Sequence, residues 1–294
     1  MTSIKQLIRL CGLALLTQTP LHATEPGRAG YPDGAENFFA GALPPPGDYF
    51  INYINYYSAD KLRDGKGNEV PINFHLTALA EVARWVHVTP VKVLGGDLGM
   101  HVIVPLVDLK VSSAVFPETR NRSMGDIVTS AFVGWHNENW HYVADFDIVW
   151  PTGSYDTNRV ANVGMNSAML TPTLAVSYLS PGWQLGLKFM YDINMRNEDT
   201  DYKSGDAFHM DYLVSRQVTQ NLSLGASGYV FQQLNNDKVG GVSIADSKSR
   251  AYAFGPAASY QLGKVSLQAH YQREFGVRNR PQGDKVWLKA IVPI

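Results

Sequence analysis

Eleven polar side chains of this 294-residue sequence recur at spacings that could bring them onto one surface. They are His101, His141, Asp145, Asp147, Lys188, Asp192, His209, Asp211, His270, Gln272 and Glu274. A histidine with a carboxylate two or four residues away, as in His141/Asp145 and His209/Asp211, could suggest metal ligation. On a strand such residues share a face. No third or fourth ligand is specified by the spacing, however, and the plainer reading is a wall of paired charges. The sequence therefore assigns neither a metal nor a cofactor. It assigns no catalytic residue either. There is no Gly-x-Ser-x-Gly elbow, phosphate loop, His-Glu-x-x-His helix or dinucleotide fingerprint, and the outward faces described below carry no Ser–His pair. A further cluster, Arg273, Arg278 and Arg280, falls at one candidate rim. There it could steer anionic solutes or bind lipopolysaccharide phosphates, or simply form a weak exposed pair with Glu274.

The elements that carry these residues read as strands. In Val265–Phe275, Val265, Leu267, Ala269 and Tyr271 alternate with Ser266, Gln268, His270, Gln272 and Glu274. Trp183, Leu185, Leu187, Phe189, Tyr191 and Ile193 alternate with Gln184, Lys188, Asp192 and Asn194. Trp140, Tyr142, Ala144, Phe146 and Ile148 oppose His141, Asp145 and Asp147, while Phe208, Met210, Tyr212 and Val214 oppose His209, Asp211 and Ser215. Twelve candidate strands follow: 48–57, 73–88, 94–107, 125–136, 140–150, 166–179, 183–195, 206–217, 222–234, 250–261, 265–276 and 284–292. Pro90 and Gly95-Gly96 blur the second and third.

The connections alternate between long and short. Those at 58–72, 108–124, 151–165, 196–205 and 235–249 are long, those at 89–93, 137–139, 180–182, 218–221 and 262–264 are short, and 277–283 is intermediate. Short turns on one side, long polar loops on the other and an even strand number are the marks of an outer-membrane barrel. Trp135, Trp140, Trp150, Trp183, Tyr191, Tyr260 and Tyr271 lie near strand ends, where a bilayer interface favours aromatics. The expected fold is an all-β, up-and-down antiparallel transmembrane barrel of about twelve strands over 48–294, with apolar faces toward lipid and the eleven polar residues lining the interior. A soluble β-sandwich is the remaining alternative, though it has no reason to place every long loop at one end.

Composition agrees. Charged residues make up 17% of the chain against a usual ~25%, and tyrosine leads the aromatics with 15 copies. After residue 23 no run approaches the ~18 apolar residues of a spanning helix. Net charge is −1, which gives no electrostatic case for nucleic acid. Residues 1–23 read as a secretory signal peptide, with Lys5 and Arg9 before the apolar run Leu10–Leu16 and Leu21-His22-Ala23 at the cut site. The only cysteine, Cys11, lies in that leader, so the mature chain has no disulfide and no thiol chemistry. The Gly- and Pro-rich segment 24–47 has no period and reads as an arm or a plug; the general mobility of termini favours the arm.

Several loop sequences carry a resemblance. Pro45-Pro46-Gly47, Tyr56-Tyr57-Ser58-Ala59-Asp60, Gly125-Asp126, Trp150-Pro151-Thr152-Gly153, Thr200–Gly205, His209-x-Asp211-Tyr212, Gln232-Gln233-Leu234, Gly255-Pro256 and Arg273–Gly283 occur in order. In this series the chain resembles the phenol MetA-pathway degradation family of outer-membrane proteins, and within it the SphA-like group. The resemblance implies a channel, not an enzyme, for uptake or efflux of small hydrophobic, aromatic or amphipathic molecules, a sphingosine-like lipid among them, in the outer membrane of a Gram-negative bacterium. Its implied partners are the small ligand, outer-membrane lipid and lipopolysaccharide, and the assembly machinery. It carries over no catalytic residues. The ending Val292-Pro293-Ile294 departs from the terminal aromatic usual in outer-membrane barrels. A closed structural, ligand-sensing or adhesive surface barrel is the competing function.

Overall fold

The computed structural model describes residues 32–294. The expected leader and the first part of segment 24–47 lie outside the described residues. The wall is built from β1 (Gly47–Leu62), β2 (His75–Val93), β3 (Gly96–Ser112), β4 (Thr119–Met124), β5 (Val128–Asn137), β6 (Trp140–Val149), β7 (Met169–Ser180) and β8 (Trp183–Asn194). It continues through β10 (Ala207–Gln217), β11 (Leu222–Gln233), β14 (Arg250–Leu262), β15 (Val265–Arg278) and β16 (Pro281–Pro293). Short strands β9 (Tyr202–Lys203), β12 (Lys238–Val239) and β13 (Val242–Ser243) form a small separate sheet among the long loops.

Every neighbouring pair is antiparallel, and β1 joins β16 on one side and β2 on the other. With β4 and β5 sharing one position, twelve staves close on themselves and leave no open edge. Alternation decides which side faces lipid. Leu185, Leu187 and Tyr191 are exposed on β8, whereas Gln184, Lys188, Asp192 and Asn194 between them are buried. Phe146, Leu174, Val214, Leu224, Phe254 and Leu288 likewise point outward. Trp140, Trp183 and Tyr260 stand exposed at the short-turn end, where amphipathic rings suit a membrane interface. The fold is a transmembrane β-barrel; a sandwich would have buried these side chains between layers.

Three connections differ from expectation. β2 runs through the expected turn at 89–93, with a bulge in its pairing to β3 between Val88 and Lys92 absorbing the stretch that contains Pro90, which has no ladder donor. The turn falls instead at Leu94-Gly95, both at positive φ, as a two-residue hairpin requires. The expected loop 108–124 is largely ladder, because β4 pairs Met124 to Thr119 with Leu106 to Val111 and raises the wall there. At the other end of the sequence, 277–283 is a tight turn at Asn279-Arg280.

The long loops are packed. Ala161 and Val163 of the 150–168 connection bury against Ala59, Leu109 and Val111 on the tall side of the wall. Asp237 fixes another loop by accepting from the Tyr202 hydroxyl (2.7 Å) and the Gly205 amide (2.8 Å). Burial pushes the Asp237 carboxyl up, against the bonds from Tyr202, Gly205 and Gln233 that favour its charged form.

Candidate functional site

From residue 33 on, the N-terminal segment packs inside the barrel as a plug. Residues 33–38 are all buried inside the barrel, so the preference for a loose arm does not hold for the described residues. The physical reason is complementarity, in both shape and charge. The Asp211 carboxylate accepts from the backbone N–H groups of Gly34 (2.8 Å) and Glu36 (3.0 Å). Across the lumen the Gly34 carbonyl lies 2.8 Å from His270 Nε2, and Asn37 Nδ2 lies 3.0 Å from His270 Nδ1. An amide nitrogen can only donate, so Nδ1 accepts from Asn37 and Nε2–H donates to the carbonyl. Further down, the Gly41 amide donates to Ser177 Oγ at 2.9 Å. Phe38 packs with Leu213 and Ala257.

Two plug carboxylates meet bases of the wall. Asp33 accepts from Arg280 Nη2 (2.9 Å) and lies 3.5 Å from His209 Nδ1, with Lys285 donating to the Asp33 carbonyl (3.2 Å). Glu36 Oε1 accepts from the Tyr53 hydroxyl and from Arg84 Nη1, each at 2.6 Å, while Oε2 accepts from Lys289. Bonds of this kind to an ionised group are the strong ones, and a buried charge needs them.

The wall carries its own pairs. Asp192 accepts from Thr171 Oγ1 (2.8 Å) and sits 3.2 Å from His209 Nε2. Glu274 accepts from the Tyr57 hydroxyl (2.8 Å), from Tyr229 and from the Gly283 amide (2.8 Å). His101, Asp145 and Asp147 offer ligand atoms within 4.8 Å of one another. Arg84 Nη2, however, lies 2.9 Å from His101 Nδ1. A guanidinium only donates, so Nδ1 is an acceptor there, and the other nitrogen, 2.9 Å from Asp147 Oδ1, carries the proton. The imidazole has no lone pair left for a cation, and the arginine already fills the positive place.

Between residues 36–44 of the plug and the wall a cavity of about 440 Å³ lies toward the short-turn end. Phe38, Leu43, Ile51, Val86, Phe132, Val143 and Ile291 give it apolar walls, and Glu36, Arg84, Lys188 and Lys289 gather at its polar end.

Of the sequence candidates, His101, Asp145, Asp147, Lys188, Asp192, His209, Asp211, His270, Gln272 and Glu274 are buried inside the barrel. Asp211, His209, His270 and Gln272 converge on the plug, Gln272 through its amide 3.4 Å from the Gly34 carbonyl. His141 stands apart near the short turn, 2.8 Å from His136, and lines the cavity. The expected arginine rim divides. Arg273 and Arg278 are exposed, but Arg280 turns inward to Asp33 and stacks over Phe231 at 4.5 Å, because the buried acid and ring stabilise it better than water-screened neighbours of like charge. Arg84, Lys285, Lys289, Tyr53 and Tyr229 were not singled out by sequence reasoning. For Lys285 and Lys289 the signal was present, since the strand that turns Val286 and Leu288 outward must turn both lysines inward.

A model of the family described as "Putative MetA-pathway of phenol degradation" matches residues 59–290. The chain belongs to that family. Its fold is that of the COG4313 outer membrane channel from Pseudomonas putida F1, with TM-score 0.76 at 20% identity over 88% of this chain and 99% of that one. Two other barrels resemble it more loosely. One is the translocator domain of autotransporter NalP from Neisseria meningitidis, with TM-score 0.52, 9% identity, and 86% of this chain and 91% of that one covered. The other is the β domain of the Bordetella autotransporter BrkA, with TM-score 0.55, 8% identity, and 85% and 100% covered. No curated protein matches the chain in sequence. Family membership and barrel geometry agree on an outer-membrane protein; at these identities the solved structures speak for the fold alone.

Proposed function

We propose that this protein is an outer-membrane channel for passive movement of small hydrophobic, aromatic or amphipathic molecules, closed at rest by its own N-terminal segment. The observation that carries the reading is the largely apolar cavity beside a plug held by ion pairs rather than by a continuous strand. A path walled by Phe132, Val143 and Ile291 suits an apolar solute body, and an ionic latch can reseal. A sphingosine-like solute fits less well, since its ammonium would meet Arg84, Lys188 and Lys289 at the polar end. We read the barrel as non-enzymatic, since Asp33, Glu36, Asp211 and His270 serve to hold the plug. Arg273 and Arg278, exposed at the long-loop side, are the residues we assign to lipopolysaccharide phosphates.

The plug also favours a second reading, a permanently closed surface barrel whose loops bind partners. Uptake separates them. Cells lacking the protein should take up monoaromatic compounds, benzoate as well as toluene, more slowly, and cells carrying Asp33→Asn/Glu36→Gln faster, than the wild type. Identical rates in all three would leave the closed barrel standing and remove the channel.

A further inference from the structure

We propose that the cavity is a site for an apolar-bodied carboxylate, and that Glu36 of the plug occupies the carboxylate's place at rest. The proposal names the solute class of the channel reading and rests on it. Glu36 is received as a ligand would be: hydroxyl and guanidinium donors at 2.6 Å converge on Oε1, and Lys289 serves Oε2. The receptor belongs wholly to the wall, on β1, β2 and β16, while the carboxylate comes from outside it.

The surroundings extend the match. Among the residues lining the cavity, the cations Arg84, Lys188, Lys264 and Lys289 face the carboxylates Glu36 and Asp145. One of those two acids leaves with the plug. The same polar end opens directly onto Phe132, Val86, Val143 and Ile291, so a ring can sit against apolar wall while its carboxylate reaches the bases. A cavity of about 440 Å³ is at the lower end of small-molecule pockets and accommodates one ring with a short acid arm. A neutral aromatic would leave Arg84 and Lys289 without the counter-charge that Glu36 supplies, and an aliphatic amine would be repelled by them. An anion lacking a ring would forgo the apolar wall. The solute that satisfies both halves is an aryl or arylalkyl carboxylate, and it competes with Glu36 for the same donors.

Isothermal titration of the purified, detergent-solubilised full-length protein with benzoate, benzamide and acetate tests this without requiring transport. Benzoate should bind about tenfold more tightly than either benzamide or acetate, one charge-assisted contact being enough for that factor. Glu36→Gln, which leaves the donors free about a hundredfold more often, should raise benzoate affinity by about the same further hundredfold and widen its margin over benzamide. Lys289→Gln should erase the margin, Lys289→Arg should keep it, and heat-modifiable migration in gels confirms that each barrel is folded. Equal binding of benzoate and benzamide in both the wild type and Glu36→Gln overturns the proposal. Acetate binding as well as benzoate overturns it too, since the apolar wall would then contribute nothing. Benzoate selectivity in a protein that fails the uptake experiment would instead remove the channel reading and leave the site.

Discussion

Glu36 is the point at which the closed lumen is most easily loosened. Replacing it with glutamine keeps the shape and one amide oxygen, which can still accept from both Tyr53 and Arg84 as Oε1 does. The bond from Lys289 is then lost, and the other two fall to about half their strength without the carboxylate's charge. Hydrogen bonds to charged groups contribute roughly 1.5 kcal/mol each at the low end of their range, so the docked plug loses about 3 kcal/mol. That corresponds to about a hundredfold rise in the undocked fraction, read as open probability in planar-bilayer recordings of the purified protein. A covalent lock supplies the control. A Cβ built on Gly134 lies 2.6 Å from Leu43 Cγ, and its next contact beyond the Leu43 side-chain tip is at 3.5 Å. Leu43 Cβ is one bond further than Cγ, hence no more than about 4.1 Å away, inside the ~3.5–4.5 Å window of a disulfide. Since Cys11 is the sole cysteine in the sequence, the pair Leu43→Cys/Gly134→Cys meets no competing thiol in 24–294. Combined with Glu36→Gln, it should leave conductance raised in both the oxidised and the reduced form, because it pins only the shape-fitted half of the plug. Wild-type conductance from Glu36→Gln would refute a plug whose residues 33–37 must shift for passage, and a return to the wild-type level on oxidation would show that 38–46 must move as well.

Two other changes test the architecture. Gly186→Ala places a methyl 2.7 Å from the Asn37 carbonyl oxygen, which has nowhere to retreat but along the lumen, and should raise open probability in the same recordings with little change in barrel unfolding. Leu187→Arg, at mid-height on the lipid face of β8, should destabilise the barrel by about 2–4 kcal/mol, seen as a lower urea midpoint in lipid vesicles; an unchanged midpoint would mean that Leu187 does not face hydrocarbon.

Strand alternation was legible wherever the two faces differ sharply in polarity. β8 and β15 could be assigned almost residue by residue, because Lys188, Asp192, His270 and Glu274 cannot share a face with leucine. β2 hid its most consequential residue. Val82, Val86 and Val88 point inward there while Leu79 and Trp85 point out, so both faces are apolar and Arg84 has no contrast to mark it. The plug was illegible for a different reason. Segment 32–46 has neither ladder nor period, and what orders it is a set of partners up to 253 residues away in sequence, Glu36 with Lys289 being the furthest. Loop lengths misled where a ladder continued above the membrane, as in β3 with β4, because polar residues suit an exposed hairpin as well as they suit a loop.

The way the plug is seated says which part of it can yield. Its lower half is fitted by shape. A methyl on Gly41 would meet the Val176–Ser177 backbone at 2.6–2.8 Å, and one on Gly134 would strike Leu43 at 2.2 Å. Close-packed contacts of this kind are lost all at once or not at all. The upper half is held by charge. Asp33 and Glu36 rest on arginine and lysine side chains, which are long and rotatable and gain hydration if parted. Phe38, buried with Leu213 and Ala257, marks the boundary between the two halves. A motion that swings residues 33–37 aside while 38–46 stay packed breaks only bonds that water or an anionic solute can replace. Ejecting the whole segment would expose Phe38 and Leu43 as well, at about 25 cal/mol for every Å² of apolar surface. The cheaper motion opens the lumen next to the basic end of the cavity, so the latch and the place where a carboxylate would be received are one set of side chains.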